Sequence, residues 1–192
     1  MDHQEFLSNL SSETRSQLTL RLDAPGLKHL TLHVGFIIIL SLSIYLKFPG
    51  WQLLMIPQGI LIVFLFTLLH EAVHQTAFRS AWLNGLTARI SGFLIFLPPT
   101  WFKYYHFAHH RFTQIPGKDP ELATEKPQSL MDYIKHVSGI PTWIYHFKII
   151  MRNATGNCSS NFLPKKAMAR VINCLLYTSP SPRDQRGSRM AA

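Results

Sequence analysis

Charge is scarce in this chain. Only 15% of its 192 residues are Asp, Glu, Lys or Arg, against about 25% in an average soluble domain. Acidic residues are the scarcer kind, 10 against 19 basic, leaving a formal net charge of +9. The basic residues are scattered rather than striped along one helix, which argues against a nucleic-acid partner and for contact with anionic lipid headgroups. Cysteine is nearly missing: Cys158 and Cys174 make no C-x-x-C pair, so a disulfide framework and a zinc knuckle are excluded. The first 29 residues lack an apolar h-region, so no cleavable signal peptide is expected. They read as a cytosolic preamble in which Ser11 to Leu22 is either a short amphipathic helix on the membrane, broken by Pro25-Gly26, or a disordered tail.

What fills the space is apolar and clustered. Leu30 to Leu46 is a first candidate span, near the lower length limit for crossing hydrocarbon. A tight turn, Lys47-Phe48-Pro49-Gly50, follows. Trp51 to Leu69 is a second span, opened by an interfacial Trp, with Pro57 as a tolerated kink. His33 reads as an interfacial residue. The segment Ile90 to Pro99 is too short to cross alone, so a re-entrant or interfacial hairpin from about Trp82 to Trp101 is expected. Trp101, Phe102, Tyr104, Tyr105 and Phe107 read as a belt at headgroup depth. Asp119 with Pro120 reads as a helix start, and Ser129 to Met151 as a mixed helical stretch, interfacial rather than spanning. The expected fold is all-α, a multi-pass membrane helical protein whose histidine-bearing helices meet at the cytosolic face. Arg15, Arg21 and Lys28 on one side and Arg79, Arg89, Lys103 and Arg111 on the other carry that orientation, since the loop between the spans has only Lys47.

The histidines are where chemistry concentrates. His70-Glu71-Ala72-Val73-His74 closes the second apolar run, and His106-Phe107-Ala108-His109-His110 lies in the aromatic segment beyond it. On a helix, residues at i, i+3 and i+4 share a face. With 10 His in 192 residues, chance supplies about 0.5 H-x-x-x-H but only about 0.03 H-x-x-H-H, so the second box is the specific one. Neutral imidazole suits Fe, Zn, Cu and Ni. The first box also spells H-E-x-x-H, the zinc-protease signature with Glu71 as general base. That reading leaves His106, His109 and His110 unused, and five imidazoles exceed what one catalytic zinc with an open position takes. A third reading is a membrane subunit that only holds and releases metal. Glu71 and Asp119 are candidates for orienting a ligand imidazole through its second nitrogen, with a simple charge and a helix cap as their plain alternatives.

These boxes, set after two apolar spans, resemble the first two histidine boxes of the membrane fatty acid desaturase and hydroxylase superfamily. The run Trp101-Phe102-Lys103-Tyr104-Tyr105-His106-Phe107-Ala108-His109-His110-Arg111-Phe112-Thr113, followed by Asp119-Pro120-Glu121-Leu122, carries the likeness further. The resemblance implies an O2-dependent oxidoreductase of lipid acyl chains with two irons in the full-length protein. It implies His70, His74, His106, His109 and His110 as iron ligands, and electrons from a ferredoxin or cytochrome b5 type donor. Carotenoid and alkane oxygenases share similar boxes. The implied location is an integral membrane protein with its site on the cytosolic face, in the cell membrane of a bacterium or the endoplasmic reticulum of a eukaryote. A third H-x-x-H-H box, expected of the family, is missing. From Cys174 to Ala192 the composition changes abruptly and is similar to a translated sequencing adapter, the alternative being a genuine disordered Ser/Pro/Arg tail. The expectation is therefore a preamble at 1–29, a truncated desaturase-like membrane domain at 30–173, and a non-native tail at 174–192, the fragment being inactive.

Overall fold

The structure is a computed structural model that describes residues 6, 9–124 and 126–176. Their regular secondary structure is all helical, with no strand among the described residues. The helices are α1 (Ser12–Leu18), α2 (Asp23–Tyr45), α3 (Trp51–Val73), α4 (Ala81–Leu94), α5 (Pro99–Phe112), a 3-10 turn at Pro120–Ala123, α6 (Leu130–Val137), α7 (Ile140–Ala154) and α8 (Lys165–Leu176). The tail expected from Cys174 falls outside the described residues from Tyr177 onward, and α8 itself runs past Asn173 to Leu176.

Among the described residues, two helices are long and apolar enough to cross a bilayer. α2 and α3 have 23 residues each, roughly 34 Å at 1.5 Å per residue, against a hydrocarbon core of about 30 Å. They are not the core helices of a soluble protein. α2 buries no residue at all, and α3 buries only Leu65, Leu69, Ala72 and Val73 near its end. Among their few polar groups, His33 Nε2 meets the Leu61 carbonyl at 2.9 Å and Gln58 Nε2 donates to Ser41 Oγ at 2.8 Å. Such bonds join helices where lipid offers no partner. His33 is thus an interhelical contact between α2 and α3.

The first span starts earlier than Leu30. Pro25 and Gly26 lie in the first turn of α2 instead of ending a helix before it. First-turn N–H groups have no intrahelical acceptor, so proline removes nothing there. A Cβ on Gly26 would meet the Ala77 carbonyl oxygen at 2.4 Å and the Phe78 ring at 2.8 Å, so glycine lets the start of α2 sit against the link after α3. That junction is held further by Arg21 donating to the Gln75 carbonyl at 2.9 Å and by Ser80 N–H donating to Asp23 at 2.8 Å. The entry of α2 and the exit of α3 are therefore at one level.

α4 packs along α3 with an inverted pattern. Its buried face carries Asn84, Thr87, Ala88, Ser91 and Gly92 with Leu83, while Trp82, Leu86, Ile90 and Phe93 are exposed. Small residues inside and large apolar ones outside suit lipid better than water. The chain then turns back through Ile95–Pro98. Leu97 N–H bonds the Gly92 carbonyl at 2.8 Å and Phe96, at φ 55°, occupies the left-handed position, closing a Schellman turn. A Cβ on Gly92 would sit 2.5 Å from the Leu97 oxygen. α3 ends the same way, with His74 as C-cap, Gln75 at φ 63° and Thr76 N–H on the Glu71 carbonyl. The hairpin expected from Trp82 to Trp101 is present as α4, this turn and the start of α5.

One expectation is corrected here and another is made finer. Trp101 and Phe102 are buried rather than part of a surface belt; they join the end of α3, Ile149, Leu163 and Val171 in the core. The segment 129–151 is two helices, because Gly139 at φ 72° and the following Pro141 break it between α6 and α7.

Candidate metal centre

The last turn of α3 and the second half of α5 bring four imidazoles together. One ligand nitrogen from each of His70, His74, His106 and His110 lies within 4.8 Å of the others. His106 Nε2 is 3.0 Å from His74 Nε2 and 2.9 Å from His110 Nε2. Both helix spacings contribute: His70 and His74 stack one turn apart on α3, His106 and His110 one turn apart on α5. The α4 hairpin returns α5 to the level where α3 ends, so the two pairs face one another.

Hydrogen bonding alone accounts poorly for this geometry. A neutral imidazole carries one proton on two nitrogens, yet three Nε2 atoms crowd around one another. A cation satisfies all three lone pairs at once. Ligand nitrogens about 2.1 Å from an ion stand roughly 3 Å apart when adjacent at right angles, and the observed contacts are 2.9 and 3.0 Å. An all-imidazole donor set suits iron as well as zinc or copper.

The surroundings favour the neutral form of His106 and His74. Burial, followed by the neighbouring imidazoles His70 and His110, holds the His106 pKa down at about 4. Burial also lowers that of His74, with His70 and His110 adding to it. Neutral rings accept a metal without first losing a proton. Phe102 stacks on His106 at a centroid separation of 5.2 Å, and Phe107 on His74 at 5.2 Å. These two aromatics fix ring planes; no spacing rule in the sequence marks them for that.

His109 stands apart from the four. Its Nδ1 is 2.9 Å from Asp119 Oδ1 and 3.4 Å from Glu121 Oε2. Asp119 is buried, and its carboxylate also accepts from Gln114 N–H at 2.8 Å and Glu121 N–H at 2.9 Å. Burial pushes its pKa up, but the bonds from His109 and these two amides outweigh that and keep it ionised. Nδ1–H of His109 donates to Asp119, which leaves Nε2 with a free lone pair. Asp119 is thus both the cap expected from Asp-Pro and a partner of a histidine.

Glu71 stands further from its neighbouring histidine. Its Oε1 is 4.0 Å from His70 Nε2, beyond hydrogen-bond range. Its Oε2 accepts from Thr76 Oγ1 at 2.6 Å, on the turn that ends α3.

A family model described as fatty acid desaturase matches residues 46–178, more than half of the chain and both histidine boxes. No curated protein and no solved structure matches the chain.

Proposed function

The chain belongs to the fatty acid desaturase family, and from that premise we propose that it is the histidine-box part of an O2-dependent di-iron oxidoreductase of lipid acyl chains. The observation that carries this reading is the meeting of His70, His74, His106 and His110 within 4.8 Å at the end of an apolar helix. These four rings would hold one iron. His109, oriented by Asp119, offers a further nitrogen toward a second. Bound iron would supply the oxygen-activating redox chemistry that side chains lack.

The chain's own residues handle binding and access. Phe66 packs on Phe102 at 5.4 Å and lies 6.4 Å from His70, forming an apolar wall from the lipid-facing side of α3 to the cluster. Between α2 and α3 is a cavity of about 310 Å³ lined by Leu30, His33, Phe64, Leu68, Glu71 and Phe78. Its apolar lining and its nearness to His70 through Glu71 favour an acyl chain over a polar substrate. Excess Lys and Arg on the box side of the spans support a cytosolic site reached by a ferredoxin or cytochrome b5 type donor. No third H-x-x-H-H box is present, so these 192 residues alone are expected to bind iron yet oxidise little or nothing.

The test is metal binding before turnover. X-ray absorption of the iron(II)-loaded chain should show nitrogen neighbours in place of sulfur, with the signal lost in His106→Ala. Zinc retained in preference to iron, together with peptide hydrolysis abolished by Glu71→Ala, would favour the protease reading instead.

A further inference from the structure

α6 and α7 carry apolar stripes that nothing among the described residues covers. On α7, Ile140, Ile144, Phe147 and Met151 recur at helical spacing and are all exposed, whereas Ile149 and Asn153 on the other face are buried. On α6, Leu130, Ile134 and Val137 form a second stripe, Leu130 being 75% exposed. Asp132, Lys135 and His136 lie off that stripe. Neither stripe is long enough to span, and a helix of this kind lies in an interface with its apolar side down.

Two further observations identify what covers it. The stripe is continuous with the inverted, lipid-suited face of α4. Phe96, at the tip of the α4–α5 turn, packs edge-on against Trp143 of α7 with centroids 5.7 Å apart, and Phe93 beside it is 79% exposed. The charge around it is also one-sided: residues 126–170 hold seven Lys and Arg and one acid, Asp132. Lys148 flanks the α7 stripe, where its stem can cover apolar surface while the ammonium stays in the headgroups. Trp143, Tyr145 and Tyr133 add rings of the type that settle at headgroup depth.

We infer that α6 and α7 form a membrane-surface platform, lying on an anionic leaflet and continuous through Phe96 with the lipid-facing side of α4. The platform rests on these exposed faces and not on the metal reading. Because α7 also packs on the core through Ile149, it would hold α5 at a fixed height above the lipid.

The experiment uses the full chain in vesicles containing phosphatidylglycerol. Emission of wild type minus that of Trp143→Phe isolates Trp143. Lipids brominated on the upper acyl carbons should quench about half or more of that difference, since such helices sit roughly 5–10 Å into the headgroup–acyl boundary. Aqueous iodide should quench it weakly. Phe147→Glu should reverse the two sensitivities while far-ultraviolet dichroism stays unchanged. Quenching by iodide alone would overturn the platform by putting α7 in water. Quenching by neither agent would overturn it too, since the stripe would then be covered by protein, whether a second copy or another chain. Either failure leaves iron binding at the histidines untouched, so the two readings are separable.

Discussion

Asp119→Asn is the most informative single change. Asp119 holds His109 Nδ1–H at 2.9 Å while its second oxygen accepts from Gln114 N–H. An amide has one oxygen for the two sides: kept on Gln114 N–H, it puts its NH2 in place of the oxygen that holds both His109 and Glu121 N–H. Its NH2 then faces His109 Nδ1, and two donors cannot share that contact. His109 must move its proton to Nε2, which removes the lone pair a metal needs. Loss of such a partner costs about 10–100-fold in metal affinity. The assay is anaerobic iron(II) titration of wild type, Asp119→Asn, His109→Ala and the double variant. The expected cycle is non-additive: with His109 absent, Asp119→Asn should weaken binding little further. An equal loss in the His109→Ala background would refute the reasoning, because Asp119 would then act on the fold rather than through His109.

Other predictions follow from the same geometry. His106→Ala should reduce iron content by at least the about 10–100-fold of an outer contact, measured by elemental analysis, because His106 Nε2 touches both His74 and His110. Glu71→Gln should leave iron content unchanged, since Glu71 bonds Thr76 and stands 4.0 Å from His70. Gly92→Val should lower stability by about 1–3 kcal/mol through overpacking, read as a fall in Tm, because even a Cβ there would sit 2.5 Å from the Leu97 oxygen. The metal-free chain should lose stability as pH falls from about 6.5 to about 4, followed by thermal denaturation. His106 titrates at about 4 when folded and near 6.5 otherwise, so in that window the unfolded chain binds more protons and acid favours it.

Much of the arrangement was legible before any coordinates. The 3.6-residue repeat put His70 with His74 and His106 with His110, and the shortness of Ile90–Pro99 required a hairpin that brings the second pair back to the first. What was hidden depends on tertiary contact. Pro25-Gly26 reads as a break because local rules do not know that Gly26 must admit Ala77 and Phe78. Trp101 and Phe102 look like interface anchors by type, yet α8 and the end of α3 enclose them. Gly139 and Pro141 together mark the break between α6 and α7 inside a stretch whose composition is mixed throughout. The partner of His109 lies ten positions on, beyond any helical spacing, and is delivered only by the turn at 113–119.

Iron content of the purified chain, compared with that of His106→Ala and His110→Ala, tests the central claim most directly. The account predicts about one or more iron per chain, from an imidazole set that suits it, and near-complete loss in both variants. Iron bound equally by all three proteins, or a wild type that takes up none, would contradict it.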